Sequence, residues 1–184
     1  MLAQAEAWKV LESADLIHDE AAIDAAVRRV ATQAEAKLRD ALPLVLAVMG
    51  GGVVFAGQLL PRLHFPLEFD FIHVTRYRGG TQGGQVSWPV APHVPIAGRT
   101  VLVIDDILDE GATLAAVRAR FLEQGAAAFY SAVLCEKDLG SRVKPIRADF
   151  VGVTVPDRYV FGCGMDVHGA WRNLPAIYAL GSTQ

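Results

Sequence analysis

The sequence has few of the features that mark extracellular, membrane or nucleic-acid-binding proteins. Its two cysteines, Cys135 and Cys163, are too few for a disulfide framework. No apolar run approaches the roughly 20 residues that span a bilayer, and the first residues lack the continuous apolar core of a signal peptide. The chain has no long basic block, and its net charge is -3, which disfavours sequence-independent binding to nucleic acid. We therefore expect a cytoplasmic protein that binds neither membrane nor nucleic acid.

The sequence does have a high apolar content, arranged in alternating strands and helices. Hydrophobic residues make up 52% of the 184 positions, which predicts one compact domain over residues 1–184. The central strands are continuous apolar runs, which is typical of an α/β fold with a parallel sheet covered by helices on both faces. The predicted strands are LPLVLAVM, LEFDFIHV, the edge strand VSWPV, RTVLVID, AAFYSAVLCEK and ADFVGVTV; the predicted helices are residues 13–40, VVFAGQLLPRL and TLAAVRARFLEQG.

The most informative stretch is VLVIDDILDEGAT, residues 101–113, in which a buried strand leads into acids, a glycine and a threonine. A strand, a turn and a helix N-terminus make an anion site, because free backbone N–H groups and the helix dipole both favour negative charge. Gly111 lets the backbone approach a ligand closely, and the Thr113 hydroxyl adds a donor. Residues 110–113 are therefore predicted to bind a phosphate.

The carboxylates that precede this turn need a different ligand, because they repel a phosphate. Adjacent carboxylates such as Asp105 and Asp106 suit the vicinal hydroxyls of a sugar or a bound Mg²⁺. A phosphate beside a diol is the pattern of a ribose 5-phosphate. The alternatives are a capped helix whose acids are only solvated, a metal-dependent phosphatase and a receiver domain. The last two lack the glycine-threonine loop at this spacing.

This stretch resembles the phosphoribosyl diphosphate motif of the type I phosphoribosyltransferases, and residues 44–175 are similar to the hypoxanthine-guanine phosphoribosyltransferases. The resemblance implies a central parallel sheet with helices on both faces, plus a small hood of N- and C-terminal segments. It implies that Asp105 and Asp106 bind the ribose hydroxyls and that Asp109 is the general base near N7 of a purine. The residues implied to cradle the 5-phosphate are Glu110, Gly111, Ala112 and Thr113.

Two further loops resemble parts of the same family. The stretch VMGGG matches the diphosphate loop, where the resemblance implies backbone contacts from Gly50 and Gly51 beside a cis peptide bond. Met49 stands where the family often has Lys or Arg, so one cationic contact is missing. The stretch HVTRYRGGTQGG matches the loop that closes over the reaction centre, with Tyr77 at the family's tyrosine position. The candidates for further diphosphate contacts are Arg76 and Arg78.

The resemblance places the base pocket in the second half of the chain. Lys137 is implied to donate to the exocyclic O6 of the purine. Because an ammonium only donates, it accepts a 6-oxo base and opposes the 6-amino group of adenine. Tyr159 is implied to stack on the base, and Val160 to offer backbone groups to its edge. The other implied contacts are Arg172 with the diphosphate, and Asp105, Asp106 and Asp166 with Mg²⁺.

Together these matches imply a purine salvage enzyme with Mg²⁺ as its cofactor. It would convert hypoxanthine or guanine plus phosphoribosyl diphosphate to IMP or GMP plus pyrophosphate, as a homodimer or homotetramer. One alternative is a phosphoribosyltransferase for xanthine or for a pyrimidine base. Another is a non-catalytic regulator that senses phosphoribosyl diphosphate and binds nucleic acid. The presence of Asp109, Lys137 and Asp166 favours the enzyme.

Overall fold

Helices and strands alternate in this computed structural model, which describes residues 2–76 and 86–181. The helices are α1 (Gln4–Glu12), α2 (Glu20–Leu38), α3 (Gly52–Leu59), which continues into the 3-10 turn Leu60–Arg62, and α4 (Ala112–Glu123). The strands are β1 (Asp15–His18), β2 (Leu44–Met49), β3 (Glu68–Arg76), β4 (Val86–Val90), β5 (Thr100–Leu108), β6 (Ala128–Lys137), β7 (Phe150–Val155), β8 (Val160–Phe161) and β9 (Ile177–Ala179).

The main sheet has the strand order β4-β3-β2-β5-β6-β7. All neighbouring strands in it are parallel except β3 and β4. The antiparallel strand β4 lies at one edge, where Pro89 removes an N–H group without breaking an inner ladder. The predictions of an α/β fold and of an edge strand at VSWPV are confirmed.

Apolar side chains pack on both faces of this sheet because successive residues of a strand point to opposite sides. In β2, Val45 and Ala47 belong to the cluster beneath α2 and α3. Leu44 and Leu46 belong to the cluster beneath α4. This two-sided burial explains why the central strands are continuous apolar runs. The buried residues of α4 are Leu114, Val117 and Phe121, as the helical spacing predicts.

The first and last parts of the chain form a second, smaller sheet with the order β1-β9-β8. Asp15 pairs with Ala179, and Val160 pairs with the same residue from the other side. The expected hood of N- and C-terminal segments is therefore present. The predicted helix over residues 13–40 is wrong at its start, because residues 15–18 pair as a strand and Asp19 caps a helix that begins only at Glu20. Pairing across 164 residues of sequence overrides the local helical pattern.

The parallel arrangement brings the carboxyl ends of β2, β5 and β6 to one edge of the main sheet. The loops that follow these strands carry the residues singled out in the sequence. Ligands of open α/β sheets bind at this edge. Among the residues described, no helix is both long and apolar enough to cross a bilayer.

Candidate active site

The two adjacent acids lie near the end of β5, where the buried run becomes partly exposed. The Asp105 carboxylate accepts a hydrogen bond from the backbone N–H of Asp106 at 3.0 Å. Burial, and after it the charge of Asp106, raises the pKa of Asp105 well above its ordinary value. Burial also raises the pKa of Asp106, although a hydrogen bond from Asp105 and the Arg172 guanidinium act in the opposite direction. These carboxylates are incompletely compensated in the free protein, so they suit a ligand that brings hydrogen-bond donors or positive charge.

The glycine-rich loop after β2 lies directly against these acids. A Cβ atom built on Gly51 would be 1.5 Å from Oδ2 of Asp106, so no other residue fits there without displacing that carboxylate. At Gly52 the same Cβ would be 3.1 Å from the carbonyl oxygen of Ile104. The Met49–Gly50 peptide is cis, as the resemblance implies. The loop predicted to bind diphosphate and the acids predicted to bind ribose therefore share one site.

The turn between β5 and α4 has the geometry of an anion site. Gly111 caps α4 with a φ of +83°, a left-handed conformation that disfavours side chains. The first bond of the helix runs from the Ala115 N–H to the Gly111 carbonyl at 3.0 Å. The N–H groups of Ala112 and Thr113 come before it in the helix, so they have no intrahelical acceptor and are available to a ligand.

A cavity of about 520 Å³ joins the loop after β2 to the acidic turn. Its volume lies within the usual range for small-molecule sites, about 300–1,000 Å³. The cavity thus brings the acids predicted to bind a diol and the turn predicted to bind a phosphate into one space. Its lining includes Gly51, Asp105, Asp106, Asp109, Glu110, Gly111, Ala112 and Thr113.

Lys137 and Asp109 form an ion pair at the same edge of the sheet. Strands β5 and β6 are in register at Leu108 and Glu136, so the residues that follow are neighbours. Nζ of Lys137 lies 3.1 Å from Oδ1 of Asp109. The side chain of Lys137 is 13% exposed, whereas that of Asp109 is 48% exposed. A largely buried cation thus stands beside an accessible carboxylate, on the strand next to the acidic pair.

The loop after β7 brings an aromatic ring near this pair of strands. Tyr159 is 51% exposed, and its hydroxyl donates to the backbone carbonyl of Asp166 at 3.1 Å. Val160 is buried and begins β8, so its side chain belongs to the core and only its backbone is open to a ligand role. The Asp166 carboxylate accepts from the N–H of Gly169 at 2.7 Å. The ring and the acid are therefore held in one loop.

Arg172 is bonded within this loop, and its charge also acts on Asp106 of β5. Its guanidinium pairs with Oδ1 of Asp166 at 2.5 Å and donates to the carbonyl of Gly164 at 2.6 Å. Gly164 has a φ of +103°, and a Cβ atom built on it would be 2.0 Å from the carbonyl oxygen of Gly51. The loop that carries Tyr159 and Arg172 thus presses against the predicted diphosphate loop through two glycines.

The acids fit Mg²⁺ as part of a site that a substrate completes. In the described part of the chain, no three or more Asp, Glu, His or Cys side chains come together to hold a metal. Mg²⁺ is commonly held by one or two carboxylates together with substrate phosphates. Asp105 and Asp106 supply such a pair. Burial raises the pKa of both, so a bound cation would offset the cost of ionising them. Asp166 is already paired with Arg172, so a metal role for it requires that pair to open.

Two expectations fall outside what the structure describes. Tyr77 and Arg78 lie outside the described residues, as does the side chain of Arg76. The two cysteines, Cys135 and Cys163, are both buried. Burial raises the pKa of the Cys163 thiol to about 12 and also raises the pKa of Cys135.

The sequence pattern does not indicate two residues that the structure places in or next to the site. Gly164 was not singled out, although the spacing Gly162-x-Gly164 in an aromatic loop hints at a close backbone approach. Lys144 was not singled out either; its side chain is 10% exposed and its ammonium lies beside the end of β6. A lysine in a polar loop has no sequence signal that separates it from an exposed lysine.

Comparison with known proteins connects this geometry to one family. The profile of the phosphoribosyl transferase domain family matches residues 13–168. A hypoxanthine-guanine-xanthine phosphoribosyltransferase of Tritrichomonas foetus is 32% identical over 162 residues, which cover 88% of both chains. A hypoxanthine-guanine phosphoribosyltransferase of Bacillus subtilis is 34% identical over 155 residues, which cover 84% of this chain and 86% of that one.

Solved structures show the same similarity in three dimensions. A hypoxanthine-guanine-xanthine phosphoribosyltransferase has a TM-score of 0.82 and 29% identity, covering 91% of this chain and 96% of its own. A hypoxanthine phosphoribosyltransferase of Trypanosoma cruzi has a TM-score of 0.84 and 30% identity, covering 92% and 96%. Each match extends over more than nine tenths of both chains.

Proposed function

We propose that this chain, which belongs to the phosphoribosyltransferase family and within it to the hypoxanthine-guanine phosphoribosyltransferases, transfers a phosphoribosyl group to a 6-oxopurine in purine salvage. N9 of hypoxanthine or guanine attacks C1 of phosphoribosyl diphosphate. The new bond is the glycosidic bond of IMP or GMP, and the bond that breaks releases pyrophosphate. The cytoplasmic location expected from the sequence stays a prediction, as does the organisation in a single domain.

The observation that carries the choice of base is the ion pair between Lys137 and Asp109, with its 3.1 Å separation. A 6-oxopurine presents an acceptor, O6, beside a donor, N7–H. An ammonium and a carboxylate side by side match this pattern, because one only donates and the other only accepts. Adenine presents the opposite order, an amino donor beside an acceptor at N7. The pair therefore favours hypoxanthine and guanine and opposes adenine.

The sugar and its phosphate are held by the residues around β5. The paired carboxylates of Asp105 and Asp106 accept hydrogen bonds from the 2- and 3-hydroxyls of the ribose. The 5-phosphate lies against the N-terminus of α4, where it receives the backbone N–H groups of Ala112 and Thr113 and the Thr113 hydroxyl. Glu110 is exposed at this turn, so the phosphate contacts come from the backbone rather than from its carboxylate. These contacts fix C1 in line with the incoming base.

Bond breaking places negative charge on the diphosphate and positive charge on the ribose. The backbone of Gly50 and Gly51 and the guanidinium of Arg172 receive the departing diphosphate. The residues that would hold Mg²⁺ are Asp105, Asp106 and Asp166, and the ion when bound supplies positive charge to that group. Asp109 takes the proton that the purine loses, so the product base is neutral. Tyr159 stacks on the base and Val160 offers backbone groups to its edge. The role of Tyr77 in closure over the site, which the resemblance implies, stays a prediction because Tyr77 lies outside the described residues.

Xanthine is a second candidate base for the same site. It also carries an oxygen at position 6, so Lys137 and Asp109 accept it on the same terms as guanine. The relative from Tritrichomonas foetus, 32% identical, is named for xanthine as well as hypoxanthine and guanine. These bases differ at position 2, and the charged pair is proposed to contact O6 and N7, so it does not distinguish between them.

A spectrophotometric assay with phosphoribosyl diphosphate and Mg²⁺ tests the proposal. Hypoxanthine, guanine, xanthine, adenine and uracil are compared at equal concentration. We expect turnover with hypoxanthine and guanine and at least ~100-fold lower kcat/KM with adenine, the discrimination expected when buried polar groups are mismatched. Equal use of adenine, or use of uracil alone, contradicts the assignment of the base. Absence of turnover with every base favours the alternative of a non-catalytic regulator that senses phosphoribosyl diphosphate.

We also propose that the protein is a homodimer or homotetramer, as the family resemblance implies. Its surface carries several large apolar side chains that a subunit contact would cover; they include Trp8, Leu16 and Phe69. Multi-angle light scattering after gel filtration gives the mass of the particle. A monomer at micromolar concentration contradicts this proposal.

A further inference from the structure

Lys144 is a nearly buried lysine whose ammonium is bonded to the strand that carries the base-selecting lysine. Its side chain is 10% exposed. Nζ donates to Oε1 of Glu136 at 2.8 Å and to the backbone carbonyl of Lys137 at 2.5 Å. Lysines are seldom buried unless their charge is paired. The ion pair with Glu136 already compensates the charge of Lys144. The second bond, to the carbonyl of Lys137, also fixes the position of that backbone group.

The position of Lys144 along the chain explains how it reaches that carbonyl. The chain leaves the main sheet at Lys137, the last residue of β6, and returns at Phe150, the first residue of β7. Lys144 lies within the loop between them and reaches back to the strand the chain has just left. The end of β6 is also held by the N–H of Asp138, which donates to the carbonyl of Val155 at 2.8 Å.

The neighbours of Lys144 contact the phosphate turn. A Cβ atom built on Gly111 would be 3.3 Å from Cγ2 of Ile146 and 3.4 Å from Cδ of Pro145. Ile146 also packs against the apolar cluster beneath α4. The segment of residues 144–146 is therefore fixed at one end by packing on the turn that precedes α4 and at the other by the bond to β6.

Lys144 acts on the base site from outside it. Glu136 and Lys137 are successive residues of a strand, so their side chains point to opposite faces of the sheet. Lys144 is bonded to the Glu136 side chain, on one face, while the Lys137 side chain reaches Asp109 on the other. The only group of Lys137 that Lys144 contacts through a hydrogen bond is its backbone carbonyl.

We infer that Lys144 is a positioning residue for the base, acting through Lys137 and touching no substrate. The inference rests on the proposed function, in which Lys137 contacts O6 of the purine. A side chain of four methylene groups reaches a fixed point only if the backbone from which it extends is fixed. The bond from Lys144 fixes that backbone, and the ammonium of Lys137 then stays beside Asp109, where O6 and N7 of the base arrive.

Kinetics of Lys144→Met and Lys144→Arg test this role, with Lys37→Met as the matched control. Lys37 is an exposed lysine of α2 whose ammonium lies 5.7 Å from the ring of Tyr130. We expect Lys144→Met to raise the KM for hypoxanthine about tenfold, within the range for coupled neighbours. The KM for phosphoribosyl diphosphate should stay within about twofold. Lys144→Arg keeps a donor and should recover most of the loss, and Lys37→Met should match wild type.

A double-mutant cycle separates positioning from general loosening of the fold. Lys137→Met is measured in the wild-type and the Lys144→Met backgrounds. If Lys144 acts through Lys137, its substitution changes the hypoxanthine KM by less than about twofold once Lys137 is absent. Additive effects, or an equal rise in the KM for phosphoribosyl diphosphate, overturn the inference. If Lys144→Met does not fold, Lys144→Gln replaces it, because the shorter amide keeps a polar group but does not reach the carbonyl.

Crystal structures of wild type and Lys144→Met make the test independent of activity. We expect the distance between Nζ of Lys137 and Oδ1 of Asp109 to exceed about 4 Å in the variant, beyond ion-pair range. An unchanged pair overturns the inference even if the enzyme is less active. If the wild-type protein transfers phosphoribosyl groups to none of the bases, the proposed function fails, while this distance still decides whether Lys144 positions Lys137.

Discussion

Gly164→Ala tests whether the contact between the two glycine-bearing loops sets the geometry of the diphosphate site. The added methyl would lie 2.0 Å from the carbonyl oxygen of Gly51 and 3.0 Å from its carbonyl carbon. Protein interiors are too closely packed to absorb such an overlap, so the two loops must separate by more than about 1 Å. Gly51 also lies against Asp106: a Cβ atom built on Gly51 would be 1.5 Å from Oδ2 of that residue. A shift of one loop would therefore displace both the proposed diphosphate site and the acids of β5.

The expected loss of activity follows from this displacement. Misplacement of reacting groups by about 1 Å costs on the order of 100-fold in rate. We expect kcat/KM for phosphoribosyl diphosphate to fall by about that factor in Gly164→Ala. The variant also places alanine at a φ of +103°, which costs roughly 1–2 kcal/mol and lowers Tm by about 2–8 °C.

Gly98→Ala is the matched control, because it carries the backbone cost without the overlap. Gly98 has a φ of +73°, and no heavy atom lies within 4 Å of its built Cβ position. It precedes β5, at the edge of the sheet opposite the site. Steady-state kinetics and thermal melts of both variants are compared. Gly164→Ala should have a lower Tm than Gly98→Ala, because its overlap adds to the backbone cost. Activity lost only in Gly164→Ala supports the reasoning; equal activities in the two variants refute it.

Three further variants separate the roles of the charged residues. Asp109→Asn keeps the shape of the turn and removes the proton acceptor, so kcat should fall about 10²–10⁴-fold; a rate within about threefold of wild type excludes Asp109 as the general base. Asp105→Asn with Asp106→Asn should weaken GMP binding by roughly 1.5–3 kcal/mol for each hydrogen bond lost, and calorimetry showing unchanged affinity contradicts ribose recognition. The same double variant should have a higher Tm than wild type at neutral pH, because burial raises the pKa of both groups and ionising them in the folded protein costs free energy. That cost is absent below the ordinary pKa of 3.8 and grows as the pH rises through the raised values, so the Tm advantage should shrink on acidification; an advantage that grows instead would falsify the assigned direction. Lys137→Gln should lower kcat/KM for hypoxanthine by about 1.5–3 kcal/mol of transition-state stabilisation. The ratio of kcat/KM for hypoxanthine to kcat/KM for adenine should therefore decrease. If steady-state kinetics give an unaltered ratio, Lys137 does not select the base.

The parts of the fold that the sequence predicts are those governed by local pattern. Continuous apolar runs identify β2, β5 and β6 as buried parallel strands, and helical spacing identifies the inner face of α4. The start of α2 was predicted wrongly because residues 15–18 obtain their partners from β9, far along the chain. No property of four residues near the N-terminus indicates a strand whose partner lies more than 150 residues away.

The candidate site likewise has one part that local sequence predicts and another that depends on the fold. The acids and the predicted phosphate turn follow one another in sequence. The spacing within residues 105–113 is therefore enough to recognise them without a structure. The ion pair of Lys137 with Asp109 depends on the register of two strands, and the contact of Gly164 with Gly51 depends on the path of a loop. Lys144 is a still harder case, because only its burial distinguishes it from any other lysine.

The small sheet β1-β9-β8 also bears on the order in which the site forms during folding. β1 pairs with β9 across 164 residues of sequence, and β8 pairs with the same strand. β5 and β6, which carry Asp105, Asp106 and Lys137, are neighbours both in sequence and in the main sheet. Contacts between distant segments form slowly, because a long loop must close first. We therefore expect the loop that follows β8, with Asp166 and Arg172, to become ordered later than the acids of β5.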